Sequence, residues 1–111
     1  MKLSLTPGRI SYSRGSIPVA YKVLDAREIG DIIVAIFDHM AFPQGEPARN
    51  LFAYSSDTGG LLWRAEDIGM GGADAYTDFI SEEPLTVGNF AGADCRIDAK
   101  TGQVIFRKFT K

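Results

Sequence analysis

Hydrophobic positions along this chain alternate with polar ones in short runs, and turn residues break the runs at close intervals. Leu3 and Leu5, then Ile10 and Tyr12, share a period of two, with Pro7-Gly8 as a turn between them. Arg14-Gly15-Ser16 makes the next turn. Ile17, Val19, Tyr21 and Val23 alternate through residues 17–25, which predicts one half-buried strand. Ala26, Arg27, Glu28 and Ile29 fit either a continuation of that strand or one helical turn. Gly30-Asp31 is a hairpin turn. The run Ile32-Ile33-Val34-Ala35-Ile36-Phe37 is apolar on both faces, the pattern of a central strand covered on both sides.

Residues 38–49 contain Pro43, Gly45 and Pro47 and read as a loop. Residues 50–65 read as a hairpin and residues 66–75 as a polar, glycine-rich loop. Residues 76–80 and 85–90 read as strands joined by the acidic turn Ser81-Glu82-Glu83-Pro84, and a second hairpin follows. No long segment carries a helical period with caps at both ends. The pattern predicts a single all-β domain over residues 1–111, an antiparallel meander of about eight or nine short strands.

The two hairpins share their turn chemistry. Thr58-Gly59 aligns with Thr101-Gly102, Trp63 with Phe106, and Arg64 with Arg107. Asp98 accepts backbone N–H bonds at the start of the second turn, and Ser55 is the weaker version of that device in the first. Glycine at the end of each turn supplies a positive φ. Trp63 and Phe106 are expected to anchor their strands in the core. Extended backward, residues 85–90 fall on residues 32–37, and residues 38–49 become an insertion in the first copy. The repeats cover about 31–65 and 83–109.

Ile97-Asp98-Ala99-Lys100-Thr101-Gly102-Gln103-Val104-Ile105-Phe106 and Ala53-Tyr54-Ser55-Ser56-Asp57-Thr58-Gly59-Gly60-Leu61-Leu62-Trp63 resemble the blade repeat of pyrroloquinoline-quinone-type β-propellers. The resemblance implies local blade geometry. A closed propeller needs at least four blades or so, and this chain holds two, so neither a complete propeller nor a quinone is implied, and no cofactor is expected. The whole chain is also similar to small single-domain bacterial proteins with the same ending. That similarity implies binding or neutralising a partner, without catalytic residues.

Composition narrows the classes. A formal net charge of −2 disfavours strong nonspecific binding to nucleic acid. The single cysteine, Cys95, excludes an internal disulfide framework and a cysteine-cluster zinc site. Its place in an alternating strand marks it as a small buried hydrophobe rather than a nucleophile. The first nine residues lack the apolar run of a signal peptide, and residues 32–37 are too few to span a bilayer. The expected location is the bacterial cytoplasm, away from membranes.

Candidate chemistry is sparse. His39 is the only histidine, with Asp38 beside it and Glu46 nearby, and no Gly-x-Ser-x-Gly or His-x-x-x-His constellation accompanies it. Gly69-Met70-Gly71-Gly72 lacks the lysine and helix of a phosphate loop. Met40-Ala41-Phe42-Pro43 puts apolar side chains in a loop, which either folds onto the core or serves in recognition. Residues 65–95 carry no Lys or Arg but hold Glu66, Asp67, Asp74, Asp78, Glu82, Glu83 and Asp94. Such a region either steers a basic partner or is a solubilising face that protects sheet edges. The leading expectation is a non-enzymatic protein-binding module contacting its partner through His39, Met40, Phe42, Glu66, Asp67, Asp74, Asp78, Glu82 and Glu83, with no metal. The alternative is a small enzyme or ligand-binding protein built on the His39 loop.

Overall fold

The computed structural model describes residues 3–110. These residues form an all-β structure of three antiparallel sheets. The N-terminal sheet contains β1 (Ser4–Thr6), β2 (Arg9–Tyr12) and β3 (Gly15–Pro18). The central sheet contains β4 (Val23–Ile29), β5 (Ile32–Phe37), β6 (Leu51–Ser55) and β7 (Leu61–Arg64). The C-terminal sheet contains β8 (Tyr76–Glu82), β9 (Leu85–Asn89), β10 (Ala93–Ile97) and β11 (Val104–Phe109). Within each sheet, every strand pairs with its neighbour in sequence.

The eleven strands exceed the eight or nine expected because the alternation over residues 17–25 hides a break. β3 ends at Pro18, and the chain crosses to the central sheet before β4 begins at Val23. The Val19 N–H donates to the Gly8 carbonyl at 2.9 Å during that crossing. Ala26, Arg27, Glu28 and Ile29 continue β4 as strand.

The sheets stack in chain order. One face of the central sheet, with Ile33, Ala35, Phe37 and Phe52, packs on Ile10 and Ile17 of the N-terminal sheet. The other, with Val34, Ile36, Leu51, Ala53 and Trp63, packs on Val87, Ala93, Cys95 and Ile97 of the C-terminal sheet. All six residues of β5 are buried because both its faces are covered. β10 shows one-faced alternation because only one side of its sheet is covered among the described residues.

The two hairpin turns share most of their hydrogen bonds. Gly59 N–H donates to Ser55 O and Gly102 N–H to Asp98 O, each at 2.8 Å. Thr58 Oγ1 accepts from Gly60 N–H at 3.1 Å and Thr101 Oγ1 from Gln103 N–H at 3.2 Å. Gly59 and Gly102 have φ of 77° and 78°. The pairing Ala53 with Trp63 recurs as Arg96 with Phe106, and each hairpin has a register shift one step toward its turn.

Two expectations are corrected here. Phe106 is not a core anchor: it is 56% exposed, whereas Trp63 is 7% exposed. The Trp63 face of the central sheet lies under the C-terminal sheet, while among the described residues no sheet covers the Phe106 face. The backward alignment is also displaced by one residue. Ala35 stands opposite Phe52, and Val87, not Gly88, stands opposite Cys95, the equivalent of Phe52. A slip of one would exchange the two faces of the strand.

Candidate functional site

The contact between the central and C-terminal sheets shows how one unit seats on the next. The Trp63 indole lies flat against the second turn, and a Cβ built on Gly102 would come within 2.6 Å of its ring. Its Nε1–H donates to the Ala99 carbonyl at 2.9 Å. The first turn is capped in a corresponding way from the N-terminal sheet, where Ile17 Cγ1 is 3.8 Å from the Cβ position of Gly59.

Phe106 is the next member of this series. Arg96, on the neighbouring strand, holds its guanidinium 5.9 Å from the Phe106 ring centroid. By register, Asp94 and Lys108 share the outer face with Arg96 and Phe106. Beside them Asp78, Ile80, Gly88, Phe90 and Asp94 line a shallow depression of about 440 Å³. Ile80 and Phe90 are 49% and 71% exposed. The face therefore combines three large exposed apolar side chains with two carboxylates and two cations.

The His39 loop is built around one short turn. Asp38 caps one 3-10 turn, His39–Ala41, by accepting from Met40 N–H at 2.9 Å. His39 Nδ1 stands 3.9 Å from Asp38 Oδ1, beyond hydrogen-bonding distance. The enclosed space beside His39 is about 20 Å³, far below the ligand-pocket range of roughly 300–1,000 Å³. Phe42 turns inward and packs on Tyr21 at a centroid distance of 4.7 Å, so the loop folds onto the core there. Met40 points the other way and is exposed.

The acidic residues do not act as one surface. Asp74 is 1% exposed, and its Oδ2 accepts from Ile68 N–H at 2.7 Å and Met70 N–H at 3.2 Å. Its Oδ1 accepts from Asn89 Nδ2 at 2.9 Å. Asp74 is thus the organiser of the 66–75 loop and not a steering charge, because loop amides turned inward need an acceptor. Glu66 Oε1 accepts from Val104 N–H at 2.8 Å and covers the start of the β11 edge. Asp67 Oδ2 accepts from Gly69 N–H at 3.0 Å. Asp78 lies on the outer face of the C-terminal sheet, its Oδ1 accepting from the Thr77 hydroxyl at 2.8 Å. Glu82 stands 3.4 Å from Arg27, and Glu83 is exposed in the β8–β9 turn.

Cys95 is fully buried, and burial first, then Asp74 and Asp94, push its thiol up to about 11, with Arg107 opposing. It is the small core residue its alternation implied. Among the described residues no group of three or more His, Cys, Asp or Glu is placed to hold a metal ion, and no helix is long and apolar enough to cross a membrane.

Sequence reasoning missed the outer-face residues Ile80, Phe90, Arg96 and Phe106. The usable signal was the alignment of Phe106 with a tryptophan, but exposure depends on what lies against the face. No curated protein and no solved structure matches the chain. Residues 8–109 match the model of a family described as a domain of unknown function (DUF7957), which takes in all but the first strand and the ends, and the chain belongs to that family.

Proposed function

We propose that this chain is a non-enzymatic protein-binding module of the bacterial cytoplasm, which neutralises or scaffolds a partner through the outer face of its C-terminal sheet. One observation carries the reading. Phe106 occupies the position at which Trp63, one repeat earlier, seats the next sheet, yet Phe106 is 56% exposed. An exposed aromatic with Ile80 and Phe90 beside it supplies the apolar centre that protein interfaces concentrate their energy in. Asp78 and Asp94 on the same face are balanced by Arg96 and Lys108, which favours a partner whose docking surface carries charges of both signs around an apolar centre. The similarity to propeller blades supports the same conclusion, since blades are held by their faces.

The test is capture of the partner on the wild-type chain, followed by binding measurements with two variants. Phe106→Asp should weaken binding by about tenfold or more, about 1.4 kcal/mol, and leave the melting temperature nearly unchanged. Leu62→Asp, at an exposed position on the first repeat, should bind as wild type. Equal affinity of wild type and Phe106→Asp would remove the outer face from the interaction.

A further inference from the structure

Arg49 lies just before β6 and Arg64 ends β7, and their side chains are locked across each other. Arg64 Nε–H donates to the Arg49 carbonyl and its Nη2 to the Ala48 carbonyl, both at 2.9 Å. In return Arg49 Nε–H donates to the Ala65 carbonyl at 3.0 Å and its Nη2 to the Arg64 carbonyl at 3.4 Å. Arg64 also lies over the rings of Phe42 and Phe52, 5.3 and 5.2 Å from their centroids. Two long side chains that would ordinarily sample many rotamers are thereby fixed before any ligand arrives.

Their charges are uncompensated. Arg14 has Asp57 at 2.8 Å, and Arg27 has Asp25 at 2.6 Å. Neither Arg49 nor Arg64 has a carboxylate partner among the described residues. Backbone carbonyls supply partial charges only, so two full positive charges remain side by side. Burial and then the charge of Arg49 draw the Arg64 pKa down, with Tyr21 opposing. Among the described residues Nη1 of each guanidinium has no hydrogen-bond acceptor, leaving planar N–H groups free on both. Arg49 also holds φ at 47°, the only described non-glycine residue in the left-handed region. Such backbone conformations persist where surrounding contacts enforce them and cluster at binding sites.

We propose that Arg49 and Arg64 form a site for a doubly charged oxyanion of the phosphate class, bound through their free N–H groups at the open end of the β6–β7 hairpin, away from its turn. Two guanidiniums match a dianion in charge, and their forked donors match an oxyanion's several acceptor lone pairs. A single carboxylate would answer only one of the two charges. The site lies on the central sheet and is independent of the outer face of the C-terminal sheet.

The experiment is titration of the full chain with inorganic phosphate at constant ionic strength, followed by NMR of the arginine Nε–H signals. Sodium acetate and sodium chloride are the parallel arms, and Arg14, exposed and paired with Asp57, is the internal reference. Phosphate should shift Arg49 and Arg64 saturably, leave Arg14 unmoved, and bind about tenfold or more tightly than acetate. Arg64→Lys, which keeps the charge and loses the fork, should weaken phosphate binding severalfold. Linear, non-saturating shifts, equal responses to phosphate and chloride, or equal affinity for acetate would each overturn the proposal. The wild-type titration decides the matter even where Arg64→Lys fails to fold.

Discussion

At the scale of single residues, equivalent positions with equal backbone geometry can differ in cost because of what lies over them. Gly59 and Gly102 occupy the same place in matching turns, with φ of 77° and 78°. Alanine at either place must accept the left-handed conformation, at roughly 1–2 kcal/mol. At Gly59 the new methyl would meet only Ile17 at an ordinary 3.8 Å. At Gly102 it would meet the face of Trp63 at 2.6 Å and force the indole off its seat. Overpacking of this kind adds roughly 1–3 kcal/mol. Gly102→Ala should therefore be clearly more destabilising than Gly59→Ala in urea unfolding. Equal losses would mean that Trp63 moves aside freely. The turn itself was legible, because Asp98, Thr101 and Gly102 do their work within a few residues of one another. The closer packing at one glycine was not, because Trp63 comes from the other repeat.

At the scale of elements, the predictable parts were those set by local period and turn chemistry. β5 declared itself by six apolar residues in a row, and Gly30-Asp31 and the two Thr-Gly turns marked the hairpins. The boundary between β3 and β4 left no such mark, since Ile17, Val19, Tyr21 and Val23 alternate straight through it. The joint between the central and C-terminal sheets was equally silent, because it rests on a buried asparagine. Asn50 Nδ2 donates to the Phe37 carbonyl at 2.7 Å and to the Tyr76 carbonyl at 2.9 Å. Its Oδ1 accepts from Tyr76 N–H at 2.8 Å. One side chain thus ties the end of β5 to the start of β8. Asn50→Leu keeps a similar volume but leaves two carbonyls and an amide unpaired in the interior. Each such group costs roughly 1–3 kcal/mol when water cannot reach it. The variant should lose about 2–4 kcal/mol in equilibrium unfolding, partly offset by water entering the joint. A wild-type unfolding curve would mean that this joint carries no load. Asp74 taught the same lesson for the candidate site. An acid in a polar loop reads as surface, and only the fold reveals the inward amides that it serves.

For the whole molecule, the order of sheets makes the two ends unlike. The central sheet presents one face to the sheet before it and the other face to the sheet after it. The N-terminal sheet occupies the forward position against the central sheet, closing the face that carries Ile33, Ala35, Phe37 and Phe52. Among the described residues nothing covers the outer face of the C-terminal sheet, where Phe106 stands at the position that Trp63 holds under the next sheet. The repeat made the two units visible in the sequence, but not which of their faces would be covered, since that depends on neighbours rather than on pattern. Head-to-tail growth is blocked in the intact chain, because the complementary face of every copy is already occupied. Removing residues 1–20 should expose that face and allow the open face of one copy to seat on the central sheet of the next, a heterologous contact that does not close. The truncated chain should then elute as a concentration-dependent series of oligomers in size-exclusion chromatography with light scattering, while the intact chain does not. Phe106→Asp in the truncated chain should abolish the series, because the aromatic that seats the contact is replaced by a charge that resists burial. Oligomers that persist unchanged in the Phe106→Asp background would come from nonspecific exposure of the central sheet, and the directional stacking of faces would not extend beyond one chain.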